Sequence, residues 1–314
     1  MNDKLKIFAG TASKNLAQEM CNYLGIPVGR SYHDKFDNDN TWIRIEENVR
    51  EKDVFIVQTS CRPVNDGFME ALIMADALKR ASAKRITLVM PYYAYARSEK
   101  KDQPRIPITA ALVAKLIQTS GVSRIVTMDL HAEAIMGFFD GPVDQLLARN
   151  LMVDYLKEQK IENIVAVSPD AGGANRTRGY ANELDCPLAI LTKKRTDDDI
   201  AIYEVIGDVA GMNAIIFDDE VASGGTLKEA SIALRVAKAK KIFAAVTHAV
   251  FGEGIHKNLK ESNLEEIIVT DTIPVNPDPP IDKLTVLHVA KTFGEAVKRI
   301  HTGDSISQLI KEGV

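Results

Sequence analysis

The sequence predicts an α/β protein of two doubly wound parallel-sheet domains, arranged as a tandem pseudo-repeat. Three observations carry the sheets and their duplication. Short β-branched apolar runs alternate with helical patterns along most of the chain. These runs are continuous rather than alternating, as in strands covered on both faces. The strand–turn–helix series also runs twice, with a seam near Gly141-Pro142, and the similarity is one of pattern rather than of residues.

Taken in order, the runs at 54–58, 85–90 and 124–128 read as strands of the first half. Those at 164–167, 188–191, 214–217, 241–246 and 266–269 read as strands of the second. Residues 66–80 read as a helix because Phe68, Leu72, Ala75 and Leu78 fall on one face. A second helix, 108–119, is opened by Pro107 and closed by Gly121, and a third spans 226–240. Strand, helix, strand in repetition means parallel sheets. The expected domains are 1–143, joined by the C-terminal segment 303–314, and 144–302. Ligands in such sheets bind beyond the carboxyl ends of the strands, and polar clusters recur there.

Composition narrows the class. With 314 residues, 46% hydrophobic and 26% charged, the chain can bury a sizeable core in each of two domains. A net charge of −4 with both signs interspersed excludes a protein that coats nucleic acid or a membrane. The N-terminus lacks the apolar core of a signal peptide, and no apolar run is long enough to span a bilayer. Cys21, Cys61 and Cys186 are far apart with no CxxC pair, so reduced thiols and a cytoplasmic setting are expected.

The richest stretch is Ala214-Ile215-Ile216-Phe217-Asp218-Asp219-Glu220-Val221-Ala222-Ser223-Gly224-Gly225-Thr226. An apolar strand ends in three acids, and a small-residue turn then opens a helix. Ser223, Gly224, Gly225 and Thr226 offer backbone N–H groups and two hydroxyls where the helix dipole favours an anion. Acids just ahead of a bound phosphate repel it, so they must address something attached to it, such as sugar hydroxyls. Phosphate plus vicinal hydroxyls reads as a pentose 5-phosphate. The plain alternative is a capped turn with solvated acids, but three consecutive acids at a strand end repel one another.

This stretch resembles the loop shared by phosphoribosyltransferases and phosphoribosyl diphosphate synthases, and the resemblance implies that the two doubly wound domains are of phosphoribosyltransferase type. Four further blocks resemble the synthases, the ribose-phosphate pyrophosphokinase family. They are Pro63-Val64-Asn65-Asp66 running on through Asp76, Arg80 and Ser82; Pro91-Tyr92-Tyr93-Ala94-Tyr95-Ala96-Arg97 with Arg105, Pro107 and Thr109; Thr127-Met128-Asp129-Leu130-His131; and Ser168-Pro169-Asp170-Ala171-Gly172-Gly173 followed by Arg176. The resemblance spans roughly 5 to 310 in family order. It implies transfer of a diphosphoryl group from Mg-ATP to the anomeric hydroxyl of ribose 5-phosphate, with release of AMP.

The resemblance also implies roles. Arg97, Ser98 and His131 fall at the ATP, with His131 at its Mg2+ and Asp170 near a second. Lys193 and Arg195 are expected to follow the strand 188–191 and serve a mobile lid continuing through Thr196, Asp197, Asp198 and Asp199. Asp218 and Asp219 would hold the ribose hydroxyls, and Ser223, Gly224, Gly225 and Thr226 the 5-phosphate. Phe36, with Asn38 and Asn40, lies on a loop that in the family reaches a neighbouring subunit and stacks on adenine. A homo-oligomer follows, built from dimers, with a hexamer favoured; nucleic acid and membrane are not expected partners.

Several positions depart from the family pattern. Ala222 stands in place of an aspartate, Asn40 in place of a glutamate, and Ser98-Glu99 in place of glutamine and aspartate. Ala134 and Met136 replace two glutamines and Asn48 a serine, while Arg50, Ser82, Ser305 and Ser307 remain. Weak phosphate activation and weak ADP inhibition are therefore expected. Two other readings stay open on sequence: a non-catalytic regulatory paralogue, suggested by Ala222, Asn40 and Ser98, and a phosphoribosyltransferase, suggested by the wording of the loop.

Overall fold

In the computed structural model, which describes residues 4–195 and 201–313, the first sheet is assembled from continuous apolar strands. Its half of the chain runs β1 (Leu5–Ala9), α1 (Lys14–Leu24), β2 (Ser31–Lys35), β3 (Thr41–Ile45), β4 (Asp53–Val57), α2 (Val64–Arg80), β5 (Arg85–Val89), α3 (Thr109–Thr119), β6 (Arg124–Met128) and β7 (Val143–Leu146). The sheet order is β1-β4-β5-β6-β7, parallel throughout. Every residue of β4 is buried, which is why no alternation appears in its sequence. β2 and β3 form a separate antiparallel hairpin whose residues do alternate between half-buried and exposed.

The second half continues with α4 (Arg149–Glu158), β8 (Ile164–Ser168), α5 (Ala174–Leu184), β9 (Leu188–Arg195), β10 (Ala201–Ile206), β11 (Asn213–Val221), α6 (Gly225–Val236), β12 (Lys241–Ala249), α7 (Ile255–Glu261), β13 (Glu266–Thr270) and β14 (Leu284–Leu287). Its sheet order is β10-β9-β8-β11-β12-β13-β14, with β10 alone antiparallel to its neighbour. The strand expected at 188–191 is longer, because pairing with β10 extends β9 to Arg195. Lys193 and Arg195 therefore lie within a strand rather than after one.

Two helices close the chain, α8 (Ala290–Thr302) and α9 (Ile306–Glu312). The chain divides into one unit of Met1–Leu147, Thr272–Pro274 and His288–Val314, and another of Ala148–Asp271 and Val275–Leu287. This differs from the expected 144–302 second domain, since α8 is grouped with the first unit. Packing supplies the reason. α8 buries Ala290, Phe293, Ala296, Val297 and Ile300. A Cβ on Gly294 would meet Tyr23 of α1 at 2.7 Å, and the Tyr23 hydroxyl donates to Glu295 at 2.9 Å. At the far end His301 Nδ1 lies 2.8 Å from Asp53, whose carboxylate also takes Arg85 Nε at 2.7 Å. A buried aromatic such as Phe293 contributes roughly 1.5–3 kcal/mol by leaving water.

The three cysteines are free, and burial in α1 pushes the Cys21 thiol up to about 12. Among the described residues no helix is long and apolar enough to cross a membrane.

Candidate active site

In the second unit the site grows out of β11. From Asn213 through Phe217 the strand is buried, and Asp218 and Asp219 follow at its carboxyl end. Arg176, one turn into α5, meets both acids. Its Nη1 is 2.8 Å from Asp219 Oδ1 and 3.7 Å from Asp218 Oδ1. Asp218 Oδ1 also accepts the Asp219 N–H at 2.9 Å. Burial first, and then the neighbouring Asp219 charge, hold the Asp218 carboxyl well above the usual carboxylate range, with Arg176 opposing them. Two adjacent acids sharing one guanidinium would gain from hydroxyl donors or a cation placed against them.

The turn that follows is pinned from outside. Gly224 sits at φ +76°, and a Cβ there would lie 3.0 Å from Ile255 Cδ1, so this position needs glycine. Asn258 Nδ2 donates to the Ser223 carbonyl at 2.9 Å, and the Gly252 N–H donates to the Ala222 carbonyl at 2.9 Å. Ser223 Oγ accepts the Gly225 N–H at 3.4 Å. Gly225 begins α6 and Thr226 is exposed on its first turn, where backbone N–H groups have no partner inside the helix. This edge can take an anion beside two carboxylates.

Asp170 follows the adjacent strand β8 and is exposed. Its Oδ1 accepts the Gly173 N–H at 2.8 Å, while Ser168 Oγ donates to its carbonyl at 2.7 Å. One carboxylate oxygen thus closes the turn into α5. Lys193 and Arg195 on β9 are in register with Tyr203 and Ala201 of β10. Thr196, Asp197, Asp198 and Asp199, expected to continue a lid, lie outside the described residues. Asp170, Asp218 and Asp219 therefore lie at neighbouring strand ends, with the basic pair on the next strand along.

In the first unit, Arg97 is exposed beyond β5 and His131 half-buried beyond β6. Buried Asp129, at φ +39°, turns the chain just before His131 and donates its N–H to Leu146 at 3.0 Å. Ser98 is occupied with local structure. Its Oγ donates to Thr109 Oγ1 at 3.3 Å, and its carbonyl accepts the Ala110 N–H at 3.2 Å.

Phe36, Asn38 and Asn40 stand together on the loop of the β2–β3 hairpin. The Phe36 N–H donates to the Asn40 carbonyl at 2.9 Å, and Asn38 Oδ1 accepts the Asn40 N–H at 3.3 Å. The Phe36 ring is 56% exposed, its centroid 6.3 Å from that of Trp42.

Two sets of residues have uses the sequence did not reveal. Arg176 was visible only as part of a block, and its signal was its place one turn beyond Gly172-Gly173. Of the positions tied to regulation, Ser305 caps α9, accepting the Gln308 N–H at 3.4 Å, and Asn48 Oδ1 accepts the Arg50 N–H at 3.0 Å.

Comparison with known proteins bears on both units. Residues 5–121 match the N-terminal domain of ribose phosphate pyrophosphokinase, and 201–311 match the phosphoribosyl synthetase-associated domain. The chain is 43% identical to the ribose-phosphate pyrophosphokinase of Synechocystis over 99% of its own length and 94% of that protein's. It is 44% identical to the one from Clostridium acetobutylicum, over 98% of each. Among solved structures it is similar to phosphoribosylpyrophosphate synthetase from Mycobacterium smegmatis, with a TM-score of 0.91 at 39% identity, covering 96% of this chain and 100% of that one.

Proposed function

The chain belongs to the ribose-phosphate pyrophosphokinase family, and from that premise we propose how its residues divide the reaction. The enzyme transfers the β,γ-diphosphoryl group of ATP to the 1-hydroxyl of ribose 5-phosphate, giving 5-phosphoribosyl 1-diphosphate and AMP for nucleotide biosynthesis. The ribose 1-oxygen bonds to the β-phosphorus, and the bond from that phosphorus to the α–β bridging oxygen breaks, so AMP leaves with the oxygen. Little covalent work falls to the protein in such a transfer; positioning and charge neutralisation dominate.

The observation that carries the assignment is the pair Asp218 and Asp219, held by Arg176 immediately ahead of the Gly224-Gly225 turn. The two carboxylates accept the ribose 2- and 3-hydroxyls. Ser223, Gly224, Gly225 and Thr226 take the 5-phosphate through N–H groups at the start of α6. Lys193 and Arg195 on β9 meet the charge that develops on the transferred group. In the first unit, Arg97 and His131 meet the triphosphate, and Phe36 with Asn38 and Asn40 receives the purine. Ser98 supports the Arg97 loop from behind, through Thr109 and Ala110.

Mg2+ fits the donor set: Asp170 is an exposed carboxylate already oriented by the Gly173 N–H, an oxygen ligand of the kind a hard divalent ion takes. His131 is the group near the nucleotide's own ion. When bound, Mg2+ neutralises phosphate charge. Phe36 acts on a neighbouring copy, which makes the enzyme a homo-oligomer built from dimers, a hexamer being favoured, in the cytoplasm. Regulation by phosphate and ADP is weak or absent, because Ala134, Met136 and Asn48 stand in place of two glutamines and a serine, and Asn48 Oδ1 is taken by the Arg50 N–H.

The test is an assay with Mg2+, ATP and ribose 5-phosphate, with and without inorganic phosphate, following AMP and phosphoribosyl diphosphate together. Equal formation of both without added phosphate is expected. A strict phosphate requirement would overturn the regulatory part. No AMP with any purine triphosphate would overturn the catalytic assignment in favour of a regulatory paralogue.

A further inference from the structure

α2 buries Phe68, Ala71, Met74, Ala75 and Leu78, and among them a carboxylate, Glu70, only 4% exposed. A lone carboxylate in such a place costs several kcal/mol. Glu70 is tolerated because donors surround it, two on each oxygen. Oε1 accepts the Thr11 N–H at 3.0 Å and faces His33 Nδ1 at 2.6 Å. Oε2 accepts Thr11 Oγ1 at 2.6 Å and Gln58 Nε2 at 2.6 Å. Burial alone would raise its pKa, but the bonds from His33 and Thr11 outweigh burial and hold it below its ordinary value.

The donors differ in origin. Thr11 follows β1 and Gln58 follows β4, so both are fixed by the sheet itself. Gln58 is further held by donating to the Gly67 carbonyl at 3.2 Å and accepting the Ala12 N–H at 3.2 Å. Gly10 leaves the room, since a Cβ there would fall 2.2 Å from Gln58 Oε1. His33 alone among these donors belongs to the hairpin. An ionised carboxylate only accepts, so Nδ1 carries the proton between them. Ser31 Oγ, 2.8 Å from Nε2, can donate or accept, and keeps the ring paired in either protonation state.

Among the described residues the hairpin has few other directional ties to α2. On the same face as His33, Ile43 and Ile45 pack against the core, and apolar contact is not directional. Lys35 Nζ bridges Asp39 at 2.7 Å and Asp66 at 2.9 Å, but this pair of bridges is exposed and weak. Phe36 lies three positions beyond His33, about 10 Å of extended chain, so a slip at His33 is carried to the loop.

We propose that His33, through its bond to Glu70, is a positioning residue for the nucleotide: it sets where the hairpin rests on α2 and hence where loop 36–40 presents Phe36 and Asn40. His33 itself touches no substrate. The proposal rests on reading 36–40 as the nucleotide loop. The molecule carries its own reporter, because Trp42, the sole tryptophan, stands exposed on this hairpin, 5.4 Å from the Tyr32 ring.

His33→Leu removes the donor and keeps bulk, whereas His33→Asn keeps an N–H near the place of Nδ1. For His33→Leu the KM for ATP should rise about tenfold, with kcat and the KM for ribose 5-phosphate within about twofold, and Trp42 emission should shift. His33→Asn should recover most of the affinity and the emission. Equal loss in kcat and both KM values, or leucine and asparagine variants that behave alike, would overturn the proposal as a general structural effect. Phe36→Ala, measured in parallel, separates the two readings. If it raises the KM for ATP and His33→Leu does not, the positioning role fails and the loop assignment stands. If Phe36→Ala leaves that KM unchanged, the loop assignment fails. Should His33→Leu not fold, His33→Ala against His33→Asn carries the same comparison.

Discussion

The turn 223–226 continues a strand buried along most of its length, whereas loop 36–40 tips a two-stranded ribbon outside its sheet. The first is held largely through backbone: a left-handed Gly224, carbonyls of Ala222 and Ser223 engaged by Gly252 and Asn258, and a helix growing directly from it. The second is held by side chains, namely His33 on Glu70, Lys35 on Asp66, and Ile43 and Ile45 on the core. A phosphate has one shape and needs a rigid cradle of N–H groups. A purine needs a flat surface whose place a few side-chain contacts can tune. The contrast predicts that damage in the second unit is severe and local, while damage to the hairpin is graded and confined to nucleotide affinity.

The sharpest attempt to break it is Asp218→Asn. Activity should fall at least ~100-fold, yet the ligand-free protein should become more stable, by about 1 kcal/mol, since burial and Asp219 already disfavour the charge. A melting temperature that falls instead would mean the pair is not strained. The pH dependence has a defined sign. Because the folded value is raised above the ordinary ~3.9, this group's contribution is complete below that value and is lost as pH rises through the folded one. Thermal melts against pH should therefore flatten in the Asn variant over that window.

Arg176→Gln should destabilise by about 3 kcal/mol, because Asp219, with a side chain only 5% exposed, loses the guanidinium charge 2.8 Å away; chemical denaturation measures this. Gly224→Ala should cost about 1–2 kcal/mol from the left-handed backbone alone. It should raise the KM for ribose 5-phosphate and leave the KM for ATP unchanged, and a change in both would mean that the turn does not act locally. At the small end, Lys35→Ala should shift stability by less than ~1 kcal/mol, being exposed, and change the KM for ATP less than His33→Leu.

Much of this was legible along the chain because it is local. The strand 124–128 stands as read, and the helix read at 66–80 is α2, Val64–Arg80. The acids and glycines of 218–226 lie together in sequence, so strand, turn and helix start could be written down before any coordinates. Other features were not legible. Extension of β9 through three cationic residues, Lys193, Lys194 and Arg195, depends on a partner strand that supplies the ladder. The bonds that tie Ser98 to Thr109 and Ala110 cross a loop, and nothing in the residues beside Ser98 announces them. Glu70 lies on a helix whose sequence pattern is apolar on that side, and nothing nearby in the chain explains it.

The amino-acid sequence by itself determined the α/β class, the doubled strand–helix pattern and the order of the chemical motifs, since periodicity and turn chemistry act over a few residues. Only the tertiary structure decided that α8 packs with the first unit, that Arg176 serves Asp218 and Asp219, and that His33 and Glu70 seat the hairpin. Those contacts join residues from 37 to 272 positions apart, as in His33–Glu70 and Tyr23–Glu295. Burial and hydrogen-bond geometry select them only once the chain has folded.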